Sequence, residues 1–598
     1  MKLTKFLSIF AVVFCMGAVT VSCSDKKDGG EDEPPVGPVE PTPEPPASKA
    51  PEFDPEIRPF DTANRATDSY TPGDDNDVYW QANTFTQTVR IDYEGATAKV
   101  TTSSSNVKTK VSGAHVALNI SGTEKTAIEL AGSSDNGSLK IYANAKVMLT
   151  LDNLELASKT GPAINNQSKK RMFIVLKDGS VNKLTDAEKY EDDHYYVLGS
   201  DASIEDRKGA LFSEDHIIFS GSGLLQVFGN NRHGIASDGT IRILPGTTIA
   251  VETGKGDAIR AKGSNKQQRG VTVDGGYVYA LCTGEAGKCI NSDMDIYVNS
   301  GTLSLNNSAN SIFDTKDNDT SSGAGIKSDG NINITGGEVV VKTTGDGAKG
   351  LNADGDINIG GGNVTVTSTG KRFVMSATVT ASPSGLKADR GLTVKGGIVN
   401  VAMLGEEAKS DGLEADAGLT VAGGQIYCES YGNCIFAKDK LRITGGYVYG
   451  EAKKEDAIKS NNTVSITGGF VITHSPAMEK SSVKLLKVNG GTVIAIGGNF
   501  MINVDAVASP TCKVFDNISL GADEPFAVIS SKGTGLFAAK FSSAASNVPL
   551  MIASPSFKKG TKWTLATGGK ITGTASPWNG YYSGCTLADP KTAIDFSF

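Results

Sequence analysis

The sequence predicts an all-β fold, a parallel β-helix (a solenoid) that ends in a small β-rich C-terminal cap. The first observation is a phrase, Gly-Ile-Lys-Ser-Asp-Gly-Asn-Ile-Asn-Ile-Thr-Gly-Gly-Glu-Val-Val-Val at residues 325–341, which returns in related form from Gly350, Gly385 and Gly412. The second is the composition, because 70 glycines and only 7% aromatic residues in 598 are typical of short strands joined by tight corners. Since no stretch reads as a long amphipathic helix, about three short strands per turn best account for the period.

Gly-Gly corners mark the coils of this predicted solenoid. They fall at 275–276, 336–337, 361–362, 396–397, 423–424, 445–446, 468–469 and 490–491, mostly 22 to 27 residues apart. Of the two longer intervals, the one of 61 residues holds a degenerate corner near Ser300-Gly301, and the one of 35 residues contains a loop from about residue 369 to 382. In each phrase the Ile or Leu and the small Ser or Ala are expected to point inward, whereas the closing Asp points outward.

The chain divides into four predicted segments. Residues 1–22 are a signal peptide, with Lys2 and Lys5 before an apolar run, and residues 23–52 are an acidic, proline-rich spacer. The solenoid occupies 53–505, and a β-rich C-terminal cap or module occupies 506–598. No segment after residue 22 is long and apolar enough to span a bilayer. A net charge of -8 disfavours nucleic acid as a partner.

Outward aspartates that close successive phrases are the sharpest chemical feature. Asp329, Asp354, Asp389 and Asp416 come from neighbouring coils, and carboxylates about 4.8 Å apart repel one another. Interleaved cations, raised pKa values or a divalent metal ion relieve such repulsion. Lys327 and Lys387, each two residues before an aspartate, supply part of the balancing charge.

The coil at 411–416 holds more acidic groups than these two lysines balance. Because clustered carboxylate oxygens suit Ca²⁺, the sequence predicts a calcium site formed by Asp389, Asp411, Glu414 and Asp416. Asp411 joins the others only if Gly412 breaks the alternation of the strand. The alternative is a solvated aspartate ladder whose carboxylates bind backbone N–H groups.

Outward tyrosines form a second candidate site. Tyr427 and Tyr449 hold the same position in adjacent coils, and Tyr447 lies beside them. Aromatic rings on a flat sheet stack against sugar rings, so these three are predicted to bind substrate. The alternative is cross-strand stacking that stabilises an exposed sheet.

Cysteines and histidines give little support for catalysis. Cys282 with Cys289 and Cys428 with Cys434 are closely spaced pairs, which fit either disulfides or buried thiols. The five histidines are scattered, and no Gly-x-Ser-x-Gly motif occurs, so no catalytic residue is predicted. Lys387 or Lys409 is the candidate base if the protein is a lyase.

From about residue 85 onward the chain resembles carbohydrate-binding-domain-containing β-helix proteins, first recognised as cellulose- and pectin-binding proteins of cellulolytic bacteria. The resemblance implies a right-handed β-helix, related in shape to pectate lyases, that binds acidic or cellulosic polysaccharide with Ca²⁺ and has no established catalysis. The residues that carry it are 149–156, 161–164, 181–186, 208–213, 221–227, 233–238, 554–565 and 578–582.

The N-terminus resembles that of bacterial lipoproteins. Thr-Val-Ser-Cys at 20–23 is similar to a lipobox, and Ser-Asp-Lys-Lys-Asp at 24–28 is similar to the acidic surface-export signals of Bacteroidota lipoproteins. The resemblance implies lipidation of Cys23 and a lipid-anchored location at the outer membrane or cell surface. An ordinary secretory peptide is the alternative.

Three functions are compatible with these features. The favoured one is a surface lipoprotein that binds polysaccharide with the help of Ca²⁺, without turnover, as a monomer whose only membrane contact is its lipid anchor. The others are a Ca²⁺-dependent polysaccharide lyase with a lysine base, and an adhesin or structural stalk.

Overall fold

A computed structural model describes residues 71, 73–191, 197–198, 203–263, 269–406, 409–475, 485–497, 511–575, 578 and 580–598. The predicted signal peptide and spacer, with Cys23, lie outside the described residues, as does the predicted boundary at 505/506. None of the helices in these ranges is long and apolar enough to cross a membrane.

Each regular coil contributes three short strands. In one coil they are Ala324–Ser328, Ile332–Ile334 and Glu338–Thr343, which we name the phrase strand, the triplet strand and the long strand. The Gly-Gly corner joins the triplet strand to the long strand, and its second glycine, Gly337, has a φ of +79°, which favours a residue without a Cβ. Corresponding strands of successive coils pair in parallel, as at Ile326, Leu351 and Leu386. The predicted all-β parallel solenoid is confirmed.

The phrase strands and their N-terminal continuation form a 14-stranded sheet. Its strands are Val107–Ser112, Ala114–Ile120, Gly137–Ala143, Ile164–Asn166, Gly209–Ser213, His233–Ser237, Ile259–Ala261, Lys288–Ser292, Ala324–Ser328, Lys349–Ala353, Ser384–Ala388, Asp411–Ala415, Ile435–Ala437 and Ile458–Ser460.

The triplet and long strands belong to one 28-stranded sheet. The triplet column contains Met172–Leu176, Ile217–Gly221, Ile241–Ile243, Val271–Val273, Ile296–Val298, Ile332–Ile334, Ile357–Ile359, Leu392–Val394, Leu419–Val421 and Lys440–Ile443. The long column contains Val181–Thr185, Leu224–Gly229, Thr248–Thr253, Tyr277–Cys282, Thr302–Asn307, Glu338–Thr343, Asn363–Ser368, Ile398–Met403, Gln425–Ser430 and Tyr447–Ala452. At the two ends, longer strands are Gln87–Glu94, Thr97–Thr102, Thr126–Ser134, Val147–Ala157, Thr463–His474, Leu485–Ile496, Cys512–Leu520 and Ala545–Ala553.

Three hairpins branch from the solenoid, and short helices precede it. The hairpins are Val197–Leu198 with Ser203–Ile204, Ile312–Asp314 with Asp319–Ser321, and Phe373–Val374 with Thr380–Ala381. The last of these lies in the loop that the longer interval predicted. The α-helix Asp75–Val78 and the 3₁₀ helix Trp80–Ala82 come first in the described chain.

The phrase glycine has a packing role that determines what precedes it. A Cβ at Gly350 would lie 2.5 Å from Val366 Cγ1, and one at Gly385 would lie 2.5 Å from Val401 Cγ1. Both positions therefore face inward, as does the apolar residue that follows each glycine. Because two consecutive positions face the core, the residue before the glycine faces outward. The break in alternation that the sequence analysis required at Gly412 therefore occurs.

Residues 511–598 form the C-terminal module. Cys512–Leu520 and Ala545–Ala553 pair with each other, and the latter also pairs with the last long solenoid strand. A five-stranded antiparallel sheet follows, in the order Tyr581–Ser583, Gly535–Ala539, Phe526–Ser530, Lys562–Thr567 and Thr592–Ser597. The small pair Lys570–Thr572 with Thr586–Ala588 completes it.

Candidate functional site

A cleft of about 540 Å³ lies on the outer face of the phrase strands. The hairpins Ile312–Asp314/Asp319–Ser321 and Phe373–Val374/Thr380–Ala381 contribute lining residues from outside the solenoid. Strand register accounts for the rest of the lining, because equivalent positions of successive coils stack about 4.8 Å apart. The lining contains four lysines and six carboxylates, which are Lys288, Lys327, Lys349, Lys387, Asp314, Asp317, Asp319, Asp354, Asp389 and Glu414.

Two columns of outward residues run along the phrase strands beneath this lysine cleft, and seven of their ten members line it. In the first column Lys288, Ala324, Lys349, Ser384 and Asp411 occupy the position before the phrase glycine or its equivalent. In the second column the residues are Asn291, Lys327, Asn352, Lys387 and Glu414. Each column therefore places basic and neutral side chains at regular spacing and becomes acidic at the coil that begins at residue 411.

Lys349 is the distinctive residue of the cleft. Its side chain leaves the solenoid but is covered, so that the residue is only 8% exposed. Its Nζ donates to Ser322 Oγ at 3.0 Å, to the Gly347 carbonyl at 3.2 Å and to the Ser382 carbonyl at 3.5 Å. All three acceptors are neutral oxygen atoms. Burial, followed by repulsion from Lys387, lowers the pKa of Lys349 to about 8.

The other two lysines of the central coils form ion pairs. Lys327 Nζ lies 3.1 Å from Asp329 Oδ1 and also pairs with Asp354. Lys387 Nζ lies 2.7 Å from Asp389 Oδ1 and 3.3 Å from Asp416 Oδ1. Burial opposes the charge of Lys387, but these carboxylates and Glu414 outweigh it and raise the pKa of Lys387 above its ordinary value. This lysine is therefore held protonated, which is the wrong state for the base that the sequence analysis considered.

The carboxylates predicted to bind Ca²⁺ are engaged with cations and amides. Lys438 Nζ lies 2.7 Å from Asp416 Oδ1, so Asp416 is shared by two lysines from the coils on either side. Charge balance in this coil is thus better than the sequence analysis expected, because Lys438 was not counted. Glu414 accepts a hydrogen bond from Ser384 Oγ at 3.1 Å.

Asp411 points outward but has its own partners. Its Oδ1 accepts hydrogen bonds from the backbone N and the Nδ2 of Asn433, both at 2.8 Å. Burial and the nearby Glu414 carboxylate raise the pKa of Asp411 to about 6. The predicted set does not fit a preformed calcium cage, since Lys387 and Lys438 occupy positions beside its carboxylates. Calcium binding by Asp389, Asp411, Glu414 and Asp416 stays a prediction.

A different acidic group has tighter geometry. In the described ranges, three carboxylates with oxygen atoms within 4.8 Å of one another occur at Asp206, Glu214 and Asp238. Lys208 Nζ lies 2.7 Å from both Asp206 and Asp238, which places a cation inside this cluster. Burial and the two neighbouring aspartates raise the pKa of Glu214 to about 7. A lysine among carboxylates is therefore a recurrent arrangement on the phrase face.

The predicted tyrosine site is only partly accessible. Tyr427 and Tyr449 stack with ring centroids 5.0 Å apart and planes 4° from parallel, as expected for equivalent positions. Tyr449 is nevertheless buried beneath the C-terminal module, and its hydroxyl donates to Glu451 Oε2 at 2.9 Å. Its expected exposure to a ligand is therefore wrong, because residues far along the chain cover it. Tyr447 is half exposed and Tyr427 is partly exposed.

The cysteine pairs face the solenoid core. Cys282, Cys289, Cys428 and Cys434 are fully buried and are present as free thiols. The Cys428 thiol donates to the Cys434 carbonyl at 3.4 Å, and the Cys434 thiol donates to the Cys428 carbonyl at 3.3 Å. They act as small core residues in this structure.

A sequence model of the family described as "Carbohydrate-binding domain-containing protein" matches residues 112–252, 244–372 and 347–431, which together span more than half of the chain. The chain belongs to this family. The matched region contains the phrase strands that form the lysine cleft, and a polysaccharide is therefore supported as the partner of the protein.

One solved structure is similar to the chain. It is the "polysaccharide lyase-like protein from C. thermocellum", a gadolinium derivative, at 18% identity, with a TM-score of 0.27 and coverage of 57% of this chain and 95% of that chain. No curated protein matches the chain.

Two residues of the candidate sites, Lys349 and Trp578, were not predicted from the sequence of this carbohydrate-binding-family protein. Lys349 was overlooked because a strict alternation places it inward. The signal that could have revealed it is the small residue at the next position of the phrases, which is glycine at 325, 350, 385 and 412. Trp578 was noted only as part of the C-terminal segment, yet its Nε1 donates to Gln425 Oε1 of the solenoid at 3.2 Å. No local pattern predicts that long-range contact.

Proposed function

We propose that this protein is a lipid-anchored surface protein that binds an acidic polysaccharide in the lysine cleft, without turnover. The observation that carries the proposal is Lys349, a covered ammonium group that is held by neutral oxygens in a cleft open to ligand. A buried cation is costly unless a counter-charge accompanies it. A carboxylate of a uronic-acid polysaccharide supplies that charge, and Lys288 in the same column is positioned for another.

Binding of polygalacturonate measured by isothermal titration calorimetry tests this proposal. Lys349→Met is expected to weaken binding by about 1.5–3 kcal/mol, the contribution typical of a hydrogen bond to a charged group, which is roughly 10- to 150-fold in Kd. Lys342→Met is the matched control, since Lys342 belongs to the exposed face of the long strand in the preceding coil. Equal binding by wild type and Lys349→Met would contradict the assignment of the cleft.

A second candidate function, β-elimination, is favoured by the low pKa of Lys349. With its pKa lowered to about 8, this amine is largely neutral at more alkaline pH, which is the state required of a general base. Lys349 Nζ would take the proton from C5 of a uronate residue, the C4–O bond would break as the C4=C5 bond forms, and water would protonate the departing oxygen. Ultraviolet absorbance of the unsaturated product tests it. If product forms with wild type but not with Lys349→Met, the protein is a lyase and the non-catalytic proposal is wrong. Absence of product at pH 9 removes the lyase candidate.

We also propose that Ca²⁺ assists binding at Asp389, Asp411, Glu414 and Asp416. This requires the ion to displace Lys387 and Lys438 from these carboxylates. Thermal unfolding with CaCl₂ or with chelator tests it, because a ligand present at 100 times its Kd stabilises the folded state by about 2.7 kcal/mol. The increase should disappear in Asp416→Asn. An unchanged Tm for the wild type removes calcium from the proposal and leaves the lysine cleft untouched.

The lipid anchor is tested separately through Cys23. Metabolic labelling with a fatty-acid analogue should label the wild type and not Cys23→Ser, and the labelled protein should fractionate with membranes. Equal labelling of both would show that the anchor, if there is one, lies elsewhere.

A further inference from the structure

A second concave surface lies on a different face of the coils that form the lysine cleft. This aromatic groove, with a volume of about 590 Å³, crosses the outward side of three successive long strands. Thr365, Asn400 and Tyr427 occupy equivalent positions on those strands. Its lining residues with polar or aromatic side chains are Thr365, Thr367, Asn400, Gln425, Tyr427 and Trp578.

Trp578 closes one end of the groove and comes from the C-terminal module. Its ring centroid lies 5.4 Å from that of Tyr447 and 5.9 Å from that of Phe470, and its backbone is bridged to Tyr581 by two hydrogen bonds of 2.9 Å. Together with the bond to Gln425, these contacts fix the indole beside Tyr427 before any ligand arrives. A preorganised aromatic ring loses little side-chain freedom on binding.

The chemistry of the groove differs from that of the lysine cleft. None of the described residues that line it carries a charge, and they offer hydroxyl and amide groups beside exposed apolar surface at Ile398, which is 36% exposed. Hydroxyls and amides match the hydroxyls of a sugar, and aromatic rings match its C–H face. An anionic chain would find no counter-charge among these residues. The complementary ligand is an uncharged polysaccharide.

We infer that this aromatic groove is a second glycan-binding site, for an uncharged polysaccharide, and that the protein holds two chemically different polysaccharide chains at once. Phrase strand Ser384–Ala388 and long strand Ile398–Met403 belong to one coil but face different sides of the solenoid. A straight chain bound along one face therefore leaves the other face free. The bridging role rests on the proposed function of the lysine cleft, whereas the groove itself does not.

Titration with neutral hexasaccharides, namely cellohexaose, xylohexaose and mannohexaose, tests the groove. At least one should bind the wild type and change its tryptophan fluorescence. Trp578→Ala should weaken that binding roughly 2- to 10-fold, as expected for loss of one aromatic contact. Because Trp578→Ala could loosen the module, the double variant Thr365→Ala/Asn400→Ala provides a test on the solenoid alone. Tyr277→Ala, at an outward long-strand position several coils away, is the control and should bind normally.

A bridging assay tests simultaneous occupancy. Fluorescent polygalacturonate should be retained on beads carrying the neutral hexasaccharide only when the protein is added. Trp578→Ala should reduce this retention while still binding polygalacturonate in solution. The assignment of the aromatic groove as a glycan-binding site would be overturned if none of the three hexasaccharides bound, or if both groove variants bound normally. Competition between the two ligands would overturn the two-surface arrangement. Failure of polygalacturonate alone to bind would count against the lysine cleft, not the groove.

Discussion

Replacement of Lys349 by methionine should stabilise the protein relative to the wild type at neutral pH, because it removes a buried charge. This stabilisation should become smaller as the pH rises. The ammonium lies under the two hairpins, where burial lowers its pKa from 10.5 to about 8. Below pH 8 the lysine is protonated in both the folded and the unfolded chain, and the folded state bears the full cost of burying the charge. Between pH 8 and 10.5 only the unfolded chain keeps the proton, so the stability of the wild type rises with pH in that window.

The size of this effect follows from the two pKa values. At 1.36 kcal/mol per pH unit, the difference between 10.5 and about 8 corresponds to roughly 3 kcal/mol over the whole window. Between pH 7.5 and 9.5 the wild type should therefore gain about 2 kcal/mol relative to Lys349→Met. The variant also loses the hydrogen bonds to Ser322, Gly347 and Ser382 at every pH. Their loss changes the difference in free energy of unfolding between the two proteins by a constant amount and does not alter how that difference varies with pH.

Denaturant unfolding of both proteins at pH 7.5, 8.5 and 9.5 measures the difference in free energy of unfolding directly. Lys540→Met, in the C-terminal module, is the control. Because Asp523 raises the pKa of Lys540, its contribution is fully present below pH 10.5, and the difference from wild type should stay constant from pH 7.5 to 9.5. A constant difference for Lys349→Met as well would refute the idea that Lys349 carries a costly buried charge.

Three further predictions address the fold and the tyrosine cluster. Gly397→Ala should destabilise the protein by about 2 kcal/mol or more in denaturant unfolding, because φ is +77° there and a Cβ would clash with the Gly362 carbonyl. Gly360→Ala is the control and should change the stability little, since the atom nearest to a Cβ at that position lies 3.8 Å away. Tyr449→Phe should lower the unfolding free energy by about 1.5–3 kcal/mol through loss of the bond to Glu451, yet leave glycan binding intact; a large loss of binding would contradict the buried position of Tyr449. Cys428 and Cys434 should resist iodoacetamide in the folded protein and react only after denaturation, as mass spectrometry would detect, since rapid labelling of the native protein is incompatible with full burial.

The solenoid could be predicted from sequence because its core requires repetition. Inward residues such as Ile326, Leu351 and Leu386 must recur once per coil to remain in register, and the corner glycines must recur where φ is positive. Periodicity therefore predicts strand type, register and inward faces together. The same logic predicted where an insertion interrupts the coils, near residues 369–382.

The sites were less predictable because they depend on contacts that no period encodes. Lys349 is buried by hairpins that branch from neighbouring coils, and it faces outward only because the glycine after it packs inward against Val366. Tyr449 is exposed in the isolated repeat but covered by the C-terminal module. The number of cations around Asp416 was underestimated from the sequence for a similar reason, since Lys438, which pairs with it, belongs to the next coil.

Outward side chains of the solenoid can vary without affecting its core. On the phrase face, the lysines of neighbouring coils differ in whether a carboxylate neutralises them. Lys327 and Lys387 sit beside aspartates of their own and adjacent coils, which neutralises them within the protein. Lys349 lies between these two lysines in the stack of coils and is held by neutral oxygens instead. A methionine in its place would avoid a desolvation cost of roughly 3 kcal/mol, so fold stability alone does not favour lysine there. Glu414 and Asp389 attract the ammonium group without bonding to it, so an anionic ligand would supply a direct counter-charge, which is the argument for the proposed acidic polysaccharide.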